Sequence, residues 1–224
     1  MNWLNIYKND IKKFGSLFTY TAFKRFKYYS YITLIKKNLP VKGTIIEAGS
    51  GTGSIISYFS GLYDSTGIDK DTDMISLAKS RNDNTKYLYH DILQPLGKSY
   101  RADVTFSNGV LEHFSDTEVI KIINNQLKYS KIVIFSIPTI KYSAEDRIYG
   151  DERFLSYEKW ITLINSSNGK LTDSYAGYLF LFQYRYIKCR ILSEKFVNKA
   201  DFWVFILREK NAEQRPSKNN QTRR

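Results

Sequence analysis

The stretch Thr44-Ile45-Ile46-Glu47-Ala48-Gly49-Ser50-Gly51-Thr52-Gly53 decides how this chain reads. It joins a short β-branched run to three glycines at every second position. β-Branched residues favour an extended, pleated backbone. Glycines let that backbone turn sharply and be approached closely. If the run is a strand and the segment after Gly53 a helix, a ligand can reach the N–H groups at the helix start. Asp69 follows Gly49 by about twenty positions, behind the next strand-like run, Ser65-Thr66-Gly67-Ile68. This is the layout of a nucleoside-binding α/β domain.

Further short apolar runs occur at Lys86-Tyr87-Leu88-Tyr89, Ala102-Asp103-Val104-Thr105-Phe106 and Lys131-Ile132-Val133-Ile134-Phe135. Helical patterns separate several of them. Residues 52–60 carry Ile55, Ile56 and Phe59, with Gly61 as a stop, and residues 72–79 carry Met74, Ile75, Leu77 and Ala78. Ser115-Asp116-Thr117-Glu118 fits a capping box ahead of Ile120, Ile123 and Leu127. A helix around Trp160, Ile161 and Ile164 ends near Gly169. Strands are expected at about 171–180 and 201–208, and residues 183–196 read as helical. Strands alternating with helices predict a mostly parallel sheet covered on both faces. Residues 2–38 read as one or two helices, ended by Pro40, and residues 211–224 as a polar, disordered tail.

The chain has 224 residues and a formal charge of +12. The length suits one domain with an extension. Residues 1–40 hold eight Lys/Arg against a single acid, Asp10. Such a surface favours anionic partners, with RNA or an anionic membrane surface as candidates through this segment; compositional drift explains it equally well. One cysteine, Cys189, rules out an intrachain disulfide framework and a cysteine-built metal site. No apolar stretch approaches the length that spans a bilayer, and Lys8, Asp10, Lys12 and Lys13 interrupt any signal-peptide pattern. A cytoplasmic protein is expected. With His90 and His113 as the only histidines, no metal site is assigned.

The glycine loop is neither of two common phosphate loops. No lysine follows Gly53, as a Walker loop requires, and position 54, where a dinucleotide loop wants Gly or Ala, is Ser54. The pattern Glu47-x-Gly49-x-Gly51-x-Gly53 instead resembles motif I of the class I S-adenosylmethionine-dependent methyltransferases. Gly67-Ile68-Asp69-Lys70-Asp71 through Ala78 resembles that family's second strand and helix, and His90-Asp91-Ile92 its third strand end. Ala102 through Phe114, with Leu111-Glu112-His113, resembles its fourth strand and a turn common in small-molecule members. The resemblance spans residues 43–138.

It implies a Rossmann-like, seven-stranded, mostly parallel sheet with helices on both faces: a methyltransferase domain over 41–210, behind a basic helical extension or lid over 1–40. The implied cofactor is S-adenosyl-L-methionine, leaving S-adenosyl-L-homocysteine. Gly49, Ser50, Gly51 and Gly53 would approach its tail and ribose, and Glu47 its ammonium. Asp69, with Lys70 beside it, would accept the ribose hydroxyls. Met74 and Ile92 would sandwich the adenine, Asp91 accept its amine, and Asn108 and Gly109 flank the methionine. Plainer roles stay open: a helix cap for Asp69, core packing for Met74, turns for Asp91 and Asn108. His113 lies where an acceptor enters; an imidazole can take a proton from an attacking group near neutral pH, or simply pack locally. Tyr142 and Tyr149, in the loop after the fifth strand with Asp151, would shape the acceptor pocket. The aromatic stripe over residues 14–31 reads as a lid or as packing.

The expected activity is methyl transfer to an O, N or C nucleophile of a small molecule or sugar-containing metabolite. An RNA or protein methyltransferase, or a non-catalytic cofactor-binding partner subunit, are the alternatives.

Overall fold

The structure is a computed structural model that describes residues 3–97, 100–142 and 151–210. The chain opens with α1 (Trp3–Lys13), α2 (Leu17–Lys27) and α3 (Tyr29–Lys36). Gly15, at φ 79°, turns the backbone between the first two, and Ser16 caps α2 through a reciprocal box with Thr19. The α/β portion follows as β1 (Thr44–Ala48), β2 (Asp64–Asp69), α4 (Thr72–Lys79), β3 (Lys86–Tyr89), β4 (Ala102–Asn108), α5 (Asp116–Tyr129) and β5 (Ser130–Pro138). Then come α6 (Tyr157–Asn165), β6 (Gly169–Phe180), β7 (Gln183–Lys188), α7 (Glu194–Val197) and β8 (Phe202–Glu209).

Among the described residues the strands form one sheet of order β3-β2-β1-β4-β5-β8-β6-β7. β1 to β5 run parallel, while β8, β6 and β7 pair antiparallel at the far side. Both faces are covered, which is why the central strands read as unbroken apolar runs. Ile45, Val104, Phe106, Ile132 and Ile134 pack on one face with Tyr31, Ile32 and Ile35 of α3. Ile46, Val133 and Phe135 pack on the other with Ile122 and Ile123 of α5 and Trp160 of α6. Ser115 and Glu118 form the anticipated capping box. No helix among the described residues is long and apolar enough to cross a membrane.

Three expectations change. The sheet has eight strands rather than seven, because residues 183–188 are β7 and not helical. Tyr184 and Tyr186 alternate onto one face, where Tyr184 meets the rings of Tyr28 and Phe202; a period of two suits a strand. Only Cys189–Ile191 and Glu194–Val197 of that stretch are helical. Residues 52–60 hold no α-helix, just a single 3-10 turn at Ile56–Tyr58. The N-terminal segment makes three helices, not one or two. The expected tail at 211–224 lies outside the described residues.

Chain direction across the sheet reverses between β1 and β4. In such sheets the crevice beyond the strands' carboxyl ends, at that reversal, is the natural ligand site.

Candidate active site

The crevice is a cleft of about 590 Å³. Its floor is the glycine loop. Gly49 and Ser50 both donate N–H bonds to the Ile68 carbonyl, at 2.9 and 3.0 Å, folding the loop back over β2. The Gly51 N–H donates to Asp69 Oδ2 at 2.8 Å, and the Asp71 N–H to Asp69 Oδ1 at 3.0 Å. Asp69 therefore ties the two expected halves of the site together, each of its oxygens keeping a lone pair for a ligand. Burial pushes its carboxyl up, against the pull of those N–H bonds. The cap of α4 is Asp71, which accepts from Asp73 and Met74 N–H; the capping role considered for Asp69 belongs two residues later.

The glycines differ in purpose. Gly51, at φ 49°, faces the cleft, and a Cβ there would find nothing nearer than the Tyr7 hydroxyl at 3.5 Å. Gly53, at φ 70°, faces inward, and a Cβ would lie 2.5 Å from the Tyr87 hydroxyl. One glycine leaves room for a ligand; the other leaves room for a tyrosine.

Of the expected cofactor residues, Gly49, Gly51, Asp69, Lys70, Met74, Ile92 and Gly109 line the cleft. Glu47, Ser50, Gly53, Asp91 and Asn108 do not line it. Glu47 accepts the Ile56 N–H at 3.0 Å, so it caps the 3-10 turn whose N–H groups the sequence offered to a ligand. Burial raises its carboxyl to about 8. Ser50 packs on Gly67. Asp91 closes its own turn by accepting the Leu93 N–H at 2.9 Å. Asn108 Oδ1 is buried with no hydrogen-bond partner beside Gly109. Such an orphaned acceptor fits a ligand that brings donors.

The far wall is His113, on the turn Leu111–His113 just past β4. Its Nδ1 lies 2.8 Å from Asp151 Oδ1, and Trp3 meets its ring edge-on at 5.5 Å. Glu112 is buried beneath, its carboxyl raised to about 8 first by burial and then by the charges of Glu152 and Asp151. Ligand-type atoms of His113, Asp151 and Glu152 lie within 4.8 Å of one another, as part of this same wall. Tyr142 turns away and packs on Phe202 at 5.0 Å between ring centres. Tyr149 lies outside the described residues.

Trp3 and Tyr7 of α1 complete the enclosure. They sit one helical turn apart, an i, i+4 spacing legible in the sequence but unused there. The stripe expected over 14–31 divides: Tyr20, Tyr28 and Tyr31 are buried, with the Tyr31 hydroxyl donating to the Ser107 carbonyl at 2.7 Å, while Phe18, Phe26 and Tyr29 are exposed. Val110, Phe114, Thr72 and His90 also line the cleft unannounced.

Although the chain is strongly basic, the cleft presents Asp69, Asp71 and Asp151 against Lys70. Its acidic wall, hydroxyl-accepting carboxylate and orphaned acceptor suit a cationic, hydroxyl-bearing nucleoside.

Residues 46–135, the span from β1 to β5, match the family model described as a methyltransferase domain. By that match, residues 46–135 carry a methyltransferase domain. Among solved structures, this methyltransferase fold resembles an S-adenosylmethionine-dependent methyltransferase of Thermotoga maritima, described as a possible histamine N-methyltransferase. The TM-score is 0.67 at 16% identity, over 92% of this chain and 96% of the other. A TehB-like methyltransferase of Corynebacterium glutamicum gives 0.63 at 15% identity, over 93% and 97%. Magnesium protoporphyrin IX methyltransferase of Synechocystis, solved with bound S-adenosylhomocysteine, gives 0.59 at 13% identity, over 86% and 85%. In sequence, this chain is 29% identical over 137 residues to desmethylxanthohumol 6'-O-methyltransferase of Humulus lupulus. That match takes in 58% of this chain and 37% of the plant enzyme's length.

Proposed function

We propose that this chain transfers a methyl group from S-adenosylmethionine to an O, N or C nucleophile of a small molecule or sugar-containing metabolite, a hydroxyl being the group the site serves best. One observation carries the reading: the His113–Asp151 pair and the Gly51–Asp69 contact line the same cleft. When bound, S-adenosylmethionine supplies an electrophilic sulfonium methyl, and S-adenosylhomocysteine is the other product. Asp69 would hold the ribose, Met74 and Ile92 the adenine, and Gly49 and Gly51 the tail. His113 would take the acceptor's proton, and Asp151 would keep its ring in the accepting orientation. Trp3 and Tyr7 exclude water and narrow the space in which the acceptor aligns. An acidic lining disfavours RNA as the acceptor. The hydroxyl reading has a distant parallel in the plant O-methyltransferase.

Incubation with radiolabelled methyl donor and fractionated cell extract tests the activity; label in a small-molecule fraction supports it, and binding without turnover returns the chain to a partner-subunit role. Asp69→Ala is expected to weaken cofactor binding by roughly a hundredfold in calorimetry, because one carboxylate makes two charge-assisted bonds. It also frees two backbone N–H groups, so a stability loss on the order of 1–2 kcal/mol accompanies it. His113→Ala should lower kcat by about a hundredfold or more with cofactor affinity unchanged, and Asp151→Asn by roughly tenfold. Equal turnover in the alanine variant would return His113 to a packing role.

A further inference from the structure

A second feature stands apart from the cleft, at the turn joining β6 to β7. Leu179-Phe180-Leu181-Phe182 forms the tip of that hairpin, with Phe180 paired to Gln183 across a two-residue turn. Leu181 and Phe182 are each 73% exposed, and Leu179 and Phe180 are also in solvent. Ile187 and Phe196 extend the apolar surface along the face toward α7, where they line a shallow groove with Tyr178, Leu192 and Lys199. Contiguous exposed apolar side chains of this kind mark a contact site.

The backbone sharpens the point. Leu181 and Phe182 hold φ at 46° and 63°. Two-residue hairpin turns of this hand normally use Asn-Gly, because both positions are left-handed. Here two bulky apolar residues occupy them, at a cost in strain and in exposed area, and neither residue contributes to the core. Strain at an exposed apolar tip points to a function for those side chains.

Charge identifies the partner. Residues 185–199 carry Arg185, Lys188, Arg190, Lys195 and Lys199 against one acid, Glu194. Lys188 pairs with Asp173; exposed Arg185 lies across from Tyr178 just below the tip, exposed Lys199 lines the groove beside Tyr178, and the nearby acid Asp201 is engaged by the Leu179 N–H. Apolar side chains flanked by exposed cations match a bilayer interface with anionic headgroups.

Position fits as well. Gly177 lies level with Phe202, and Phe202 with Pro138, the end of β5. Residues 178–182 therefore project past the carboxyl edge of the sheet, the edge from which the cleft opens, and exposed Ile140 lies on that edge too. The cleft is about 15–20 Å away along the sheet, three or four strand spacings.

We propose that the β6–β7 hairpin tip is a membrane-docking element, seating Leu181 and Phe182 in the interface of an anionic bilayer while the flanking Arg and Lys engage its headgroups. This moves the membrane contact from the basic segment 1–40, where the sequence suggested it, to the opposite end of the chain. The inference does not depend on the methyl-transfer reading, and its test needs no cofactor.

The test is sedimentation of the full chain with phosphatidylcholine vesicles and with vesicles holding about 30% phosphatidylserine. Wild type is expected to pellet with the anionic vesicles and far less with the neutral ones. The double variant Leu181→Asn/Phe182→Gly is the decisive control, because it installs the turn residues that this backbone prefers. Its bound fraction should fall about tenfold or more while Tm rises by roughly 2–8 °C. Arg185→Glu/Lys199→Glu should remove the preference for anionic vesicles. Wild type left in the supernatant overturns the proposal, as does a Leu181→Asn/Phe182→Gly variant that pellets like wild type. Self-association abolished in the variant, without vesicle binding, overturns it too and gives the tip to a second copy of the chain.

Discussion

Gly53→Val is expected to destabilise the fold by about 3–5 kcal/mol, whereas Gly51→Val, two positions away, keeps the fold and loses the cofactor. Both backbones are left-handed, which costs a side chain about 1–2 kcal/mol on its own. At Gly53 steric overlap is added. A Cβ falls 2.5 Å from the Tyr87 hydroxyl, and Tyr87 is buried with that hydroxyl 3.3 Å from Asp83 Oδ2. The ring cannot withdraw without moving β3. At Gly51 the new side chain enters the cleft between Tyr7 and Met74. Urea denaturation should therefore separate the pair, and calorimetry should show affinity for S-adenosylmethionine lost by about a hundredfold in Gly51→Val. Unchanged affinity in that variant would remove the loop from the site.

Glu47→Gln is expected to raise stability at alkaline pH and to leave it nearly unchanged near pH 4. Glu47 is 4% exposed, and burial raises its carboxyl from the usual range to about 8. Between the unfolded value and about 8 the native state holds a proton that the unfolded chain has lost. Stability contributed by the neutral carboxyl is thus complete below the unfolded value and drains away as pH rises toward 8. Glutamine still accepts the Ile56 N–H and has no proton to lose. The difference in stability between variant and wild type should grow by on the order of 4 kcal/mol from pH 4 to pH 9. Glu112, raised to about 8 by the same cause, keeps a residual slope in the variant. A constant difference across that range would mean that Glu47 is ionised in the fold.

Much of the site was legible because its signals are local. Gly49, Gly51 and Asp69 lie at the ends of two adjacent strands, so their spacing along the chain already encodes their meeting at 2.8 Å. The strands β1, β2, β4 and β5 were equally plain, being short runs with β-branched residues and mostly buried side chains. Glu47 was harder. It lies in the same motif, yet its carboxylate points beneath the loop, a direction set by the 3-10 turn that replaced the expected helix. β7 was misread because its alternation lasts only six residues before the chain passes into the short helical turns Cys189–Ile191 and Glu194–Val197, so the window as a whole showed no single period.

Composition, hydrophobic period and the glycine spacing by themselves determined an α/β sheet with a glycine-floored cleft at the end of β1, since each is written within a few dozen residues. Tertiary structure alone decided that α1 closes the cleft with Trp3 and Tyr7, that Asp151 meets His113, and that an apolar hairpin tip projects from the same edge. Those contacts join residues far apart in the chain. No local propensity records them, because their free energy arises only when the sheet has set the distance between them.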